Sequence, residues 1–482
     1  MKIKSLYIKD YNILQDFYIE FSSNLSVLIG ENGSGKSSII ECLAYIFGHL
    51  HKYFVLNDKT AEFIDGYKIN YTINELEVFI ESRYVQSDTN TFNPDIIING
   101  TKFSTSQLKK EFPDCSFLPT KIVMSYSGIT KRLEQLSKHF EEKFIKKIIR
   151  QNNPYSLNPL VLPSDNPFIY IKKEYVSFIL LALFVLDTDE ANKLLDSLGI
   201  DINGCTTTVI LKKPYWAKLD KEKGDITNIW GISGKIARDL FEGLNFIAIQ
   251  KSSEYKEKQD RIEYELYGSL MVQDLFGAYF NLDSGQVVSF LDTLLCDDLL
   301  ESVNITWDDY FSVDKLSEGE KQKILSIGLS LVLNKRNILF LLDEPDVSLH
   351  PKWQQDFIAN FTQGLNEDSM AIITTHSPSL ASDLNDNSLS LIRKGKVITK
   401  SFKYYGKSVN DILCDYFGLE SARNKVVTEK IKYLWTMIQE DRYKEDDFVI
   451  QKKELTNIIG ADDPEIIAMN RDILRKSNEK NK

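Results

Sequence analysis

Apolar and polar positions along the chain predict strands near both ends of a core and helices between them. Partial alternation predicts strands at residues 3–8 and 17–21, and a hairpin of strands around Asn74. The runs ILFLL at 338–342 and AIITT at 371–375 are almost wholly apolar, as in strands that are buried on both faces of a parallel sheet. The pattern therefore predicts an α/β core.

Residues 129–310 depart from this strand pattern. They predict helices at 133–150, 175–186, 191–198, 273–280 and 287–300, and one strand at 206–211. No heptad repeat is sustained, which argues against a long coiled-coil arm. We expect a mainly helical insertion at 129–310 between two halves of the core, residues 1–128 and 311–404. Residues 405–482 predict an all-helical C-terminal docking module, whose last helix begins at Asp463-Pro464.

The stretch SVLIGENGSGKSS, residues 26–38, joins a short strand, a glycine-rich loop and the start of a helix. Gly30, Gly35, Lys36 and Ser37 complete the G-x-x-x-x-G-K-[ST] pattern, whose backbone N–H groups cradle phosphates. The positive end of the following helix faces the same anion. We expect Lys36 to reach the β- and γ-phosphates of ATP and Ser37 to hold Mg²⁺.

Composition restricts the class of protein further. The 482 residues suggest about two to four domains. The net charge of −11 gives no overall indication of nucleic-acid binding, although it does not exclude a local basic groove. The basic residues Lys143, Lys146, Lys147 and Arg150 could meet a phosphate backbone, but Glu141 and Glu142 among them favour a solvated helix face.

Cysteine usage and hydropathy indicate a cytoplasmic protein. Five cysteines without C-x-x-C spacing indicate a reducing compartment and argue against a zinc site. The first residues contain no apolar signal-peptide core. The longest mostly apolar run, residues 176–186, is shorter than the ~20 residues that span a bilayer.

Three further motifs follow the insertion. LSEGEKQ at 316–322 precedes a long helix, so Ser317 and Gly319 would offer a hydroxyl and an N–H group at its positive end. Asp343 and Glu344 end the apolar strand at 338–342. His376 ends the strand at 371–375, where a lone histidine has a specific context.

Together with the phosphate-binding loop at residues 30–37, called the P-loop below, these motifs resemble those of the ABC-type ATPases of the RecF and SMC group. The resemblance implies that Asp343 and Ser37 hold Mg²⁺, that Glu344 polarises the attacking water and that His376 contacts the γ-phosphate. It assigns nucleotide binding to Gly30, Glu31, Asn32, Gly33, Ser34, Gly35, Lys36, Ser37, Ser38, Ser317 and Gly319. The group's water-sensing glutamine stays unassigned, because the strand leading to Ser127 and Gly128 contains none.

The chain resembles the stand-alone ATPases of bacterial anti-phage systems in its sequence motifs TTHSP and EPDVSLHP, its compact insertion and its size. This group includes PtuA of Septu, AriA of PARIS and the ATPase half of the OLD and GajA proteins. The resemblance implies ATP and Mg²⁺ as cofactors, a head-to-tail dimer at least, and a separately encoded effector nuclease or toxin. The sequence leaves open whether DNA is a further partner. The alternative to an anti-phage function is a RecF-like repair ATPase that acts as a DNA clamp. A transporter ATPase is disfavoured by EPDVSLHP and by the insertion.

Overall fold

The computed structural model describes residues 1–55, 66–82, 94–126, 134–135, 137–138, 167–215, 230, 235–250, 260–308, 311–382, 384, 388–398, 406–407, 409–417, 421 and 423–479. The chain forms two compact units, Met1–Gly406 and Lys407–Lys482. Ser127, Gly128 and the basic stretch at 139–150 lie outside the described residues, so the predictions made there stay open. Within the described part of the chain, no helix combines the length and the apolarity needed to cross a membrane.

A seven-stranded sheet at the centre of the first unit carries the sequence motifs. Its strands in spatial order are Lys396–Ile398, Leu389–Arg393, Leu25–Ile29, Met370–Thr375, Ile338–Asp343, Lys121–Tyr126 and Phe168–Tyr170. Every neighbouring pair is parallel except the first hairpin. The three strands that precede the P-loop, His376 and Glu344 are buried at every position, as their apolar runs predicted.

The register of this sheet brings distant motifs to one edge. Ile29 pairs with Thr375, and Thr374 pairs with Asp343 on the next strand. In parallel strands the carboxyl ends share an edge of the sheet, so the loops after all three strands begin side by side. Residues separated by more than 300 positions in sequence therefore become neighbours.

A six-stranded antiparallel sheet lies in the same core. Its strands in spatial order are Leu14–Glu20, Lys2–Tyr11, Tyr67–Ile73, Leu76–Ser82, Asp95–Ile98 and Thr101–Phe103. The helix Lys36–Phe54 buries Leu43 and Phe47 in a cluster that contains Ile3 of this sheet and Leu341 of the central sheet. The helix that follows the P-loop is thus fixed by apolar packing to both sheets.

The insertion contains both helices and a sheet. The first unit's helices are Lys36–Phe54, Thr105–Glu111, Tyr175–Leu186, Asp189–Asp196, Lys235–Ile247, Gly268–Val272, Ser284–Cys296, Glu318–Lys323, Leu329–Val332, Pro351–Gly364 and Pro378–Ser382, with π-helical turns at Gln273–Tyr279 and Ile324–Gly328 and a 3₁₀ turn at Val313–Lys315. A five-stranded antiparallel sheet is ordered Ile249–Gln250, Arg261–Tyr267, Cys205–Lys212, Leu300–Trp307 and Phe311–Ser312.

The helix predicted at 287–300 is too long at its carboxyl end. The structure ends it at Cys296, and Leu300 begins a strand. Asp298 adopts a positive φ of 64°, a turn conformation that aspartate tolerates better than most residues. The strands at Arg261–Tyr267 and Leu300–Trp307 were not predicted from the sequence.

The second unit is helical, as its sequence predicted. Its helices are Val409–Phe417, Lys425–Gln439, Asp446–Ile459 and Pro464–Glu479. They enclose an apolar cluster that includes Leu434, Phe448 and Met469. Arg423 donates two hydrogen bonds to Asp463, at 2.8 and 2.9 Å, which joins the start of the last helix to the segment before the second.

Candidate nucleotide-binding site

The backbone of the P-loop requires its glycines. Gly33 and Gly35 have φ values of 72° and 107°, a region that disfavours L-residues with a Cβ. Gly30 needs its small size instead, because an added Cβ would lie 2.1 Å from the carbonyl oxygen of Ile392. The loop is also fixed from outside, since the N–H of Gly395 donates to the carbonyl of Ser34 at 2.9 Å.

A hydroxyl inside the loop is poised for a ligand. Ser34 is buried, and its Oγ has no hydrogen-bond partner within the described part of the chain. A buried hydroxyl without a partner is costly unless a ligand or water satisfies it. The combination of this hydroxyl with a glycine cradle at a helix N-terminus fits a phosphate group.

The Lys36 ammonium lies over the loop. Its Nζ donates to the carbonyl oxygens of Gly30 at 2.9 Å and Glu31 at 3.1 Å, and it lies 3.0 Å from Nε2 of His376. Burial lowers the pKa of Lys36 to about 8, while the nearby carboxylates of Glu344 and Asp343 act in the opposite direction. An anionic ligand stabilises the charged form of such a buried ammonium, because it replaces the interactions with water that burial removes.

Ser37 and Asp343 form a set of oxygen ligands suited to Mg²⁺. Ser37 Oγ donates to the two carboxylate oxygens of Asp343 at 3.0 and 3.2 Å, and Thr374 Oγ1 also donates to Asp343. Burial raises the pKa of Asp343, which a nearby cation would reverse. One carboxylate with a hydroxyl and nucleotide phosphates is the usual environment of Mg²⁺. These residues fit the ion, although the assignment stays a prediction.

Glu344 and His376 meet at the same edge of the sheet. Glu344 Oε1 lies 2.8 Å from His376 Nε2, and the Glu344 N–H donates to the carbonyl of Thr374 at 3.0 Å. Burial, followed by the charge of Lys36, lowers the pKa of His376. The neutral ring has one N–H, so Nε2 either donates to Glu344 or accepts from Lys36, but not both. If a γ-phosphate binds the Lys36 ammonium, Nε2 of His376 no longer accepts from Lys36 and can donate to Glu344 instead.

The resemblance places residues 346–350 in the loop that crosses the dimer interface but gives the Asp346 side chain no role, and in the structure this side chain organises the loop after Glu344. It is 2% exposed, and its Oδ2 accepts from Thr375 Oγ1 at 2.8 Å. Its backbone carbonyl accepts from Gln354, whose side chain also accepts from Ser377 next to His376. Burial raises the pKa of Asp346 to about 6. Its sequence signal was an acid three residues beyond Asp343, which spacing alone could not distinguish from a surface carboxylate.

Ser317 and Gly319 of the LSEGEKQ motif, called the signature below, lie in a different setting. Ser317 caps its helix in a capping box, with its N–H and hydroxyl donating to Glu320 Oε2 at 2.7 and 2.8 Å. A Cβ at Gly319 would lie 2.7 Å from the carbonyl oxygen of Ser348 in the chain's own loop after Asp346. No hydrogen bond between described residues joins Ser317 or Gly319 to the P-loop.

The structure thus brings together most of the predicted site residues and leaves two apart. Lys36, Ser37, Asp343, Glu344 and His376 form one contiguous group. Ser38 accepts a long hydrogen bond from Asn12 at 3.4 Å, which ties the hairpin before the P-loop to the helix after it. These features define the P-loop half of an ABC-type ATPase, with the loops of a mostly parallel sheet supplying the nucleotide chemistry.

The chain belongs to the AAA ATPase domain family, whose model matches residues 1–381. It is similar to the "Retron Ec83 probable ATPase" of Escherichia coli, at 19% identity over 99% of this chain and 87% of that protein. It is also similar to the "Retron Vc95 probable ATPase" of Vibrio cholerae serotype O1 biovar El Tor, at 21% identity over 86% of this chain and 78% of that protein. These findings confirm the predicted ATPase, so the chain binds and hydrolyses ATP.

A shorter similarity and two solved structures extend the comparison. The "DNA double-strand break repair Rad50 ATPase" of Thermococcus kodakarensis is 36% identical over 18% of this chain and 9% of its own length. The SMC head domain from Thermotoga maritima overlaps 83% of this chain and 98% of its own, with 13% identity and a TM-score of 0.32. The recombination mediator protein RecF overlaps 82% and 97%, with 15% identity and a TM-score of 0.32. The family model alone carries the assignment of the chain to the ATPases.

Proposed function

We propose that this ATPase is the nucleotide-driven subunit of a bacterial anti-phage defence system and controls a separately encoded effector. The observation that carries the proposal is its similarity to two retron ATPases over most of the chain, together with a nearly assembled nucleotide site. Among the described residues, no group of three or more His, Cys, Asp or Glu side chains could hold a metal ion. A nuclease or toxin partner would supply the chemistry that the described residues lack.

In the proposed reaction, Lys36 binds the β- and γ-phosphates, and Ser34 and the loop N–H groups surround them. Ser37 and Asp343 would hold Mg²⁺, which would neutralise charge on the phosphates. Glu344 accepts a proton from the attacking water, and its 2.8 Å contact with His376 fixes the carboxylate. The positive φ of Glu344, 51°, turns its side chain out of the strand at the point where the loop begins.

The nucleotide is proposed to be shared by two chains packed head to tail. The P-loop half is built within one chain, whereas among the described residues Ser317 bonds to Glu320 of its own helix and Gly319 lies against Ser348 and Trp353. An exposed serine at a helix N-terminus is suited to an anion brought by a second chain. Closure of the two chains on ATP would change contacts at the insertion and at the second unit, which a ligand-driven switch requires.

The test is reconstitution of the chain with its neighbouring gene products in a phage-sensitive bacterium. Plaque counts should fall with the intact set of genes and recover when the chain carries Glu344→Gln. Deletion of residues 409–482 should abolish capture of the effector while ATP hydrolysis persists, because Lys407–Lys482 is a separate compact unit. A deletion variant that still captures its effector and still protects would contradict the docking role.

A DNA-repair ATPase is the second candidate, favoured by the similarity to Rad50 over residues that make up 18% of the chain. It predicts a different phenotype from the same strains. Loss of the gene would sensitise the cells to DNA damage, and the intact genes would leave plaque counts unchanged. This pair of results would replace the defence proposal with an ATP-gated DNA clamp.

A further inference from the structure

A closed ring of hydrogen bonds, formed by Asp346, Gln354, Thr375 and Ser377, lies around His376 in the chain. Thr375 Oγ1 donates to Asp346 Oδ2 at 2.8 Å, and the N–H of Ser377 donates to Thr375 Oγ1 at 2.8 Å. Ser377 Oγ donates to Gln354 Oε1 at 3.1 Å, and Gln354 Nε2 donates to the carbonyl of Asp346 at 3.1 Å. The ring therefore joins the loop that carries His376 to the loop that follows the neighbouring strand of the sheet.

Gln354 closes this ring from outside the two loops. It lies in the first turn of the helix Pro351–Gly364, and its amide has both a donor and an acceptor, so one side chain can bind both loops at once. The start of this helix is held in place by its neighbours. Nζ of Lys323 lies 4.8 Å from the centre of the Trp353 ring, and Phe357 is buried. The amide is thus presented by a fixed element.

The backbone of Glu344 needs such support. Its φ of 51° lies in the left-handed region, which is unfavourable for a residue with a Cβ, and a conformation of this kind persists only where the surroundings fix it. The N–H of Glu344 donates to the carbonyl of Thr374 at 3.0 Å. The ring then fixes Asp346, two residues further along the chain. The strained residue is therefore restrained at its own N–H and again just beyond it.

We propose that Gln354 is a positioning residue for ATP hydrolysis, which acts through the two loops rather than on the nucleotide. Its amide bridges Asp346 and Ser377 and so fixes the spacing of the loops. This spacing holds Glu344 Oε1 2.8 Å from Nε2 of His376. Without the bridge, Glu344 relaxes toward an ordinary backbone conformation, which turns its carboxylate away from the attacking water. The inference rests on the proposed role of Glu344 in hydrolysis.

Gln354→Leu tests the bridge, because it removes both hydrogen bonds of the amide at a similar side-chain size. ATP turnover at saturation should fall about 10- to 100-fold, whereas the Kd for a fluorescent ATP analogue should change by less than about threefold. Gln355→Leu is the matched control, since Gln355 is the next residue of the same helix and its side chain is exposed. Equal turnover in these two variants, or a loss of binding as large as the loss of turnover, would overturn the proposal.

Ser377→Ala keeps the test decisive if Gln354→Leu fails to fold. It removes a single hydrogen bond of the ring and retains the backbone bond to Thr375, so turnover should fall about three- to tenfold with the urea midpoint unchanged. Normal turnover in Ser377→Ala would contradict the positioning role.

A double variant separates positioning from a merely structural contribution. In a Glu344→Gln background, Gln354→Leu should slow hydrolysis little further, because the group that it positions is already lost. Equal factors in both backgrounds would instead refute the positioning role. Wild-type turnover in Glu344→Gln alone would refute the proposed role of Glu344, whereas slow turnover in Glu344→Gln with normal turnover in Gln354→Leu would refute positioning alone.

Discussion

The two halves of the proposed ATP site differ in how far one chain completes them. In the P-loop half, Lys36, Ser37, Asp343, Glu344 and His376 already contact one another across three strands. In the signature half, Ser317 is satisfied by Glu320 of its own helix. A preorganised half binds without reorganisation, whereas the second half acts only when an anion displaces its internal hydrogen bonds. Under the proposed sharing of the site, one chain would bind the nucleotide and an assembly of two would hydrolyse it.

Lys36→Ala tests whether the P-loop half binds the nucleotide. It removes the buried ammonium that faces the phosphate cradle, so ATP binding should weaken by roughly 100-fold, the equivalent of about 3 kcal/mol. Binding of a fluorescent ATP analogue measures the change. Lys4→Ala, at an exposed ion pair with Glu77, is the control and should leave the affinity unaltered. Retained affinity in Lys36→Ala would show that the P-loop half is not the binding half.

Glu344→Gln should separate binding from hydrolysis. The amide cannot accept the proton of the attacking water, so the rate should fall by about 10²–10⁴-fold while ATP affinity stays within a few fold. Phosphate release under saturating ATP and an equilibrium binding assay measure the two quantities. Wild-type turnover in this variant would remove Glu344 from the proposed reaction.

Ser317→Arg tests the sharing of the site. The added bulk and charge should leave P-loop binding intact and block hydrolysis, because the signature half would no longer close on the nucleotide. Mixed assemblies of Ser317→Arg and Lys36→Ala chains should regain up to about half of the activity, since one of two composite sites is intact. A verified mixed assembly with no regained activity would count against sharing.

The last prediction concerns Asp346 and the dependence of stability on pH. Its folded-state pKa of about 6 lies above the ordinary 3.8, so the folded protein binds more protons in that interval and loses stability as pH rises through it. Asp346→Asn abolishes this loss. Relative to wild type, the variant should therefore gain up to roughly 3 kcal/mol between pH 4 and 7, measured by urea unfolding.

Asp16→Asn serves as an opposite-sign control for this titration. The Asp16 carboxylate accepts from Lys9 and Tyr7, which lowers its pKa, so wild-type stability from this group is present above the ordinary pKa. The Asp16→Asn variant should lose stability relative to wild type as pH rises. Parallel pH profiles for the two variants would show that burial does not control Asp346.

The chemistry of the P-loop half was largely determined by the sequence. The glycines, Lys36 and Ser37 occupy fixed positions within one short loop. Apolar runs predicted the strands that end at Asp343 and Thr375. Local spacing and burial patterns are sufficient for such features, because each depends on neighbours close in sequence. The helical character of the second unit was predictable for the same reason.

Only the tertiary structure decided which groups meet and which stay apart. The pairing of Thr374 with Asp343 and of Ile29 with Thr375 depends on the sheet register, which no local pattern specifies. The burial of Asp346 and the strands Arg261–Tyr267 and Leu300–Trp307 arise from long-range packing. Sequence patterns report the periodicity of one segment, whereas these features exist only where several segments come together.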